Sequence, residues 1–327
     1  MLPARDLLAE PFTRAELAEA AAAVHEVLVP TPAIAWPLLA ERSGCEVFVK
    51  HENHLPTGAF KVRGGLWLMR QLVAAVPDFP GVVAATRGNH GQSIALAAAR
   101  VGRRAVIVVP RGNNPEKNRA MRAYGAELVE HGTDFDDALA HAQALAETHG
   151  LLALPSFHPL LVQGVASYAL ELFGTVPDLA AVYAPIGLGS GVAGLIAARD
   201  ALGLATEIVG VVAAHADAYA QSLEQGRVVM TARADTIADG MAVRTPAPAA
   251  FAYLQRGLAR IVRVDDDSVR AAMRHYLSDT HNLAEGAGAA PLAALLAERQ
   301  ALRGRRVALV LSGGNVDRAT LRDVLAA

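Results

Sequence analysis

Short β-branched apolar runs, each closed by turn residues, alternate along the chain with Ala- and Leu-rich stretches of helical spacing. Runs at 46–50, 81–86, 104–110, 126–132, 180–187, 207–215, 260–266 and 305–314 read as strands, and stretches such as 89–102 and 134–150 as helices. Strand and helix in alternation predict an α/β architecture, with helices packed on mostly parallel sheets. Residues 80–153 hold one such run that could close as a small domain. The segment 152–159 punctuates its end with two prolines. Before the first strand, the N-terminal stretch reads as helix followed by a Pro-rich extended lead, and Asp265 to Ser268 offer capping oxygens to a charged helix. No solenoid repeat or low-complexity tract is present.

A length of 327 residues with 53% hydrophobic content allows a large core and favours two domains over one. The formal net charge is −2, with lysines and arginines scattered rather than gathered in a stripe, which argues against nucleic acid as a partner. No apolar run reaches the ~18 residues of a membrane span, and Asp6, Glu10 and Glu16 break up the N-terminal apolar positions, against a secretory signal. The single cysteine, Cys45, excludes an internal disulfide framework and a cysteine zinc site; it reads as a buried filler in a cytoplasmic protein.

Four segments carry candidate chemistry, each at the C-terminal end of a strand or beside one, where open α/β sheets bind ligands. In "HENHLPTGAFKVRGG", Lys61 lies between Phe60 and Val62, after a Pro56-Thr57-Gly58 turn and before Gly64-Gly65. A lone lysine is ordinarily a solvated surface charge, but apolar neighbours would lower its pKa and let the neutral amine form a Schiff base with an aldehyde. In "PIGLGSGVAG", Gly187, Gly189, Ser190 and Gly191 lead into a helix, a turn suited to a phosphate or serving only structure. A dinucleotide fingerprint would need glycine where Val192 stands and an acid after the next strand, and a P-loop would need Gly-Lys-Ser/Thr. The third segment, Thr86, Arg87, Gly88, Asn89 and His90, could grip a carboxylate, with Asn89 as helix cap the plainer reading. In the fourth, Ser312 enters a glycine turn. His51 and His54 lack a third ligand at matching spacing, so local hydrogen bonding is preferred to metal.

Together, "KHENHLPTGAFKVRGG", "TRGNHGQS", "PIGLGSGVAG", "EGAGAAPLAAL" and "LSGGN", in this order from 50 to 315, resemble the fold type II pyridoxal-phosphate enzymes, specifically the threonine/serine dehydratase and serine racemase group. The resemblance implies a tryptophan synthase β-like fold of two domains, each a mostly parallel sheet flanked by helices. Residues 1–75 and 154–327 would form the large cofactor-binding domain, and 80–153 the small one carrying the substrate-carboxylate loop. It also implies pyridoxal 5'-phosphate on Lys61 as a Schiff base, Phe60 packed on the cofactor, and Gly187, Leu188, Gly189, Ser190 and Gly191 around its phosphate. Asn89 would face the 3-hydroxyl, Ser312 the pyridine nitrogen, and the 86–90 loop the substrate carboxylate. A hydroxyl partner leaves the ring a weaker electron sink, which suits prompt β-elimination. Lys61 would take the α-proton, the β-hydroxyl would leave with a proton from the cofactor phosphate, and the released enamine would hydrolyse to a 2-keto acid and ammonia.

Threonine and serine are the default substrates. Where serine racemases carry a serine as second acid/base, this chain has Arg87, which cannot lose its proton and so counts against racemisation. Arg87 either pairs with a second negative group on a substrate such as 3-hydroxyaspartate or turns outward; a bulkier phenylserine-type substrate is a further alternative. Ala214 stands near where metal-dependent relatives carry a glutamate, with only Asp217 nearby, so no metal is expected. His90 tunes the substrate loop or contacts a helix start, and Glu285 faces the cofactor or begins the following helix. The chain ends soon after "LSGGN", so the regulatory domain of biosynthetic threonine dehydratases, and its feedback control, are not expected. Relatives suggest a homodimer. A nucleotide-dependent oxidoreductase or a non-catalytic sensor would each leave Lys61 without a role.

Overall fold

The computed structural model describes residues 5–326. Its strands are β1 Ala33–Ala35, β2 Glu46–His51, β3 Gly81–Ala85, β4 Arg104–Val109, β5 Glu127–Glu130, β6 Leu152–Ala153, β7 Ala181–Pro185, β8 Glu207–Ala213, β9 Arg260–Val264 and β10 Arg306–Leu311. Its helices are α1 Arg14–His25, α2 Pro37–Ser43, α3 Lys61–Ala75, α4 Asn89–Arg100, α5 Pro115–Ala123, α6 Phe135–His149, α7 Pro159–Thr175, α8 Ser190–Ala201, α9 Ala218–Gln225, α10 Pro248–Gly257, α11 Asp266–Thr280, α12 Gly286–Glu298 and α13 Arg318–Ala326.

The strands form two sheets, ordered β1-β2-β10-β7-β8-β9 and β5-β4-β3-β6. Every pairing is parallel except β1 on β2. Period-two alternation places the core on both faces. In β7, Val182 and Ala184 pack toward α7 and α8, whereas Ala181 and Tyr183 pack toward α11 and α12. In β3, Val82 and Ala84 meet α3 and α4, and Val83 and Ala85 meet α6. Helices therefore cover both faces of both sheets, as parallel strands require.

All eight strand runs read from the sequence form strands; β1 and β6 were not among them. Three and two residues long, they are too short to show a period of their own. The predicted cap of α11 is present, with Asp265 accepting from the Ser268 N–H at 2.7 Å. Helices α3 and α7 meet at glycines: a methyl on Gly164 would stand 2.6 Å from the Arg63 carbonyl oxygen. That close crossing links the two sheets beneath Lys61.

Candidate active site

Lys61 is held from three sides. Before it, Gly58 turns with φ +66°, and Phe60 donates its N–H to the Ser312 carbonyl at 3.0 Å, stitching the 57–60 segment to the turn after β10. After it, Ser93 Oγ bonds the Lys61 carbonyl at 2.7 Å. Behind it, the guanidinium of Arg63, fully buried, bonds Glu52 Oε2 at 2.7 Å and Glu171, while Lys50 Nζ bonds Glu171 Oε2 at 2.5 Å. Lys61 itself is the first residue of α3. Its Nζ donates to Ser190 Oγ at 3.0 Å and lies 4.8 Å from the centre of the Phe60 ring. Burial pulls its pKa down to about 8, against an opposing pull from Glu285.

Facing the amine is the glycine turn between β7 and α8. Gly189, at φ +99°, precedes α8 and offers no side chain to cap it, so the first-turn N–H groups are left to a ligand or solvent. Tyr219 Oη and Tyr168 Oη donate to the carbonyls of Leu188 and Gly191, at 3.1 and 2.8 Å. These bonds fix the turn by its acceptor side. A methyl on Gly187 would stand 2.3 Å from the Gly240 carbonyl oxygen, and one on Gly191 would be 3.2 Å from the Phe60 ring. Glycine is what lets the backbone come this close.

The 86–90 loop forms a third wall. Thr86 Oγ1 accepts from the Gly88 N–H at 3.1 Å, leaving its own proton to donate. Gly88, not Asn89, precedes α4, so Asn89 does not cap the helix. Instead Asn89 Nδ2 donates to Glu285 Oε1 at 2.7 Å, and Asn89 Oδ1 accepts from Asn315 at 2.8 Å. Glu285 immediately precedes α12 and lines the same cavity. Burial raises its carboxyl pKa to about 7, with Asp239 adding to the rise and Lys117 opposing it. Among the described residues, Glu285 Oε2 and His90 Nε2 are buried without a hydrogen-bond partner. Burial, then repulsion from Lys61, holds the His90 imidazole down to about 3, so it stays neutral.

Lys61, the glycine turn, the 86–90 loop, Glu285 and Ser312 all line one cavity of about 440 Å³ between the two sheets. The thirteen site residues read from the sequence are thus brought together in one place: twelve line the cavity, and Ser190 reaches it through its bond to Lys61. Arg87 is exposed at the cavity, with no hydrogen bond or ion pair among the described residues. A larger cleft of about 1180 Å³, along Leu7, Leu8, Leu151 and Phe157, contains none of these groups.

Sequence reading missed the rest of the lining. Lys117 of α5 pairs with Asp239, and Arg244 with Asp134 and Asp136. Asp239 and Arg244 come from the long irregular connection 226–247, whose composition carries no motif. Lys117 does follow a strand end, the one signal that could have marked it. No group of three or more His, Cys, Asp or Glu suited to a metal exists among the described residues. Asp217 is bonded to Arg263 at 2.8 Å, and His51 accepts from Trp36 at 3.0 Å while His54 bonds Asn282 at 2.7 Å. Cys45 is buried, as expected.

A family model described as pyridoxal-phosphate dependent enzyme matches residues 24–313. An L-threonine ammonia-lyase of Geobacter sulfurreducens is 36% identical over 291 residues, 88% of this chain and 71% of that one. The chain spans 59% of several longer L-threonine dehydratases that it also matches. Among solved structures, the processed threonine deaminase isoform 2 of Solanum lycopersicum superposes with a TM-score of 0.88 at 30% identity, covering 97% of this chain and 95% of that one. Maize serine racemase superposes with a TM-score of 0.89 at 25% identity, covering 97% and 98%. With most of its length matched by the family model, and with the amine, the glycine turn and Ser312 meeting in one cavity, this chain belongs to the pyridoxal-phosphate dependent enzyme family.

Proposed function

We propose that the protein is an ammonia-lyase that dehydrates and deaminates a β-hydroxy-α-amino acid, with L-threonine and L-serine as substrates. What supports this is Lys61 Nζ, its pKa brought down to about 8 by burial, bonded to Ser190 Oγ beside an uncapped glycine turn and lining a cavity of about 440 Å³. The residues fit pyridoxal phosphate: the N–H groups of 187–191 would hold its phosphate, Phe60 and Gly191 would enclose its ring, and Ser312 and Asn89 would meet the pyridine nitrogen and the 3-hydroxyl. When bound, the cofactor supplies the electron withdrawal that acidifies the hydrogen on a substrate's Cα.

The chain's own groups do the rest. Lys61 would hold the cofactor, and its free Nζ would accept the Cα proton, with Ser190 Oγ keeping that nitrogen in place. The Thr86 hydroxyl, with the N–H groups of Arg87, Asn89 and His90, would receive the substrate carboxylate. His90, neutral and packed beside the amine, adds no competing charge. Arg87 stands where a second-face acid/base would be needed for racemisation and cannot fill that role, which supports elimination. Its exposure also leaves it free to meet an acidic substrate side chain, the reading that favours 3-hydroxyaspartate as the alternative.

The 1–75 with 154–327 and 80–153 partition is proposed as two bodies that close on substrate, since the cavity lies between their sheets. A cytoplasmic location is proposed on the single, buried thiol. A homodimer is the proposed assembly. The test is a panel of L- and D-hydroxyamino acids assayed for keto acid and ammonia. Release from L-threonine or L-serine is expected; loss of chirality without ammonia would overturn the assignment.

A further inference from the structure

A buried cation lies directly under the substrate loop and is absent from the mechanism above. Lys117 is 8% exposed, and its stem passes beneath Gly88. A methyl on Gly88 would stand 2.9 Å from Lys117 Cδ and 3.7 Å from its Nζ. The ammonium has three N–H donors, of which one is used among the described residues, in the pair with Asp239. Lys50, also deeply buried, makes two bonds, to the Thr31 carbonyl and Glu171. Asp239 is itself 41% exposed and belongs to the connection on the opposite side of the cleft. Burial pulls the Lys117 pKa down, but Glu285 and Asp239 more than offset it, so the group stays charged.

A charge this buried, with spare donors turned toward a cavity, is costly unless something else pairs with it. The loop beside it has the geometry for an anion but, apart from the exposed Arg87, no cation of its own. We propose that Lys117 binds the substrate's α-carboxylate together with the backbone N–H groups of Arg87, Asn89 and His90, sharing its charge between that carboxylate and Asp239. The proposal rests on the amino-acid lyase reading, and it adds what draws the carboxylate in: a fixed positive charge in a water-poor site, stronger there than at the surface.

The test uses holoenzyme and two ligands that lack a β-leaving group: L-alanine, and L-alaninamide, which carries a neutral carboxamide in place of the carboxylate. Binding is read by calorimetry and by the change in cofactor absorbance. For Lys117→Met, the dissociation constant of alanine should rise roughly ten- to hundredfold, the span of a charge-assisted hydrogen bond, with that of alaninamide within about twofold. Lys117→Arg should recover part of the loss. Asp239→Asn, which replaces the competing carboxylate with a neutral amide, should tighten alanine and leave alaninamide unchanged. Equal weakening of both ligands would mark Lys117 as a structural tie between the sheets, and no weakening of either would exclude any role in binding. Both outcomes overturn the proposal. Neither ligand is turned over, so a failure of the lyase reading appears separately, as absence of keto acid from wild type with threonine and serine.

Discussion

At the residue scale, the chemistry turns on how one lysine is kept reactive. A surface lysine is almost wholly protonated near neutral pH, whereas the Lys61 amine, brought down to about 8 by burial, carries a usable neutral fraction. Since the neutral amine is the nucleophile, its reactivity in cofactor-free protein should rise about tenfold per pH unit and level off above about 8. Acetylation by limiting reagent, followed on the Lys61 peptide, measures this. A rise continuing to above 10 would mean that the amine is solvated. The flanking residues made Lys61 legible, because turn, aromatic and glycines stand next to it in sequence. The ionisable neighbours were less legible: Glu285, which opposes the lowering, is more than two hundred residues away, and Lys117 and Asp239, which act on Glu285, meet only across the cleft.

At the element scale, the start of α3 is set by buried charge. Arg63 and Lys50 are balanced by Glu52 and Glu171, with Thr31 Oγ1 donating to Glu52 Oε1 at 2.6 Å, so α3, α7, β2 and the extended lead share one network. Glu171 is the shared partner: burial raises its pKa, but hydrogen bonds from Arg63 and charge from Arg63 and Lys50 bring it down to about 2. Glu171→Ala leaves two buried cations facing one carboxylate and should cost about 3–5 kcal/mol in denaturant unfolding. Because this carboxyl's pKa is lowered on folding, its stabilisation is present above the ordinary carboxylate pKa of 4.5 and is lost as pH falls toward about 2. In the variant, that acid-dependent part of the unfolding profile should disappear. The strands themselves were readable from apolar runs, and α4, α6 and α11 from their spacing. The irregular 226–247 connection was not, since its place over the cavity is set by tertiary contacts such as Arg244 with Asp134 and Asp136.

At the scale of the whole molecule, two parallel sheets with helices on both faces bring their strand ends to a common cleft, and the glycine-bearing turns sit at those ends. Fold class was therefore legible from strand and helix alternation, and site composition from the five motifs. The cleft's walls were not, because they come from segments that no local pattern connects. The proposed reaction requires that pyridoxal phosphate be held covalently by Lys61. Borohydride reduction of the holoprotein, followed by peptide mass mapping, tests it most directly. A reduced pyridoxyl adduct on the peptide containing Lys61, absent from Lys61→Ala, is predicted; a colourless protein with no adduct there, or an adduct on another lysine, would contradict it.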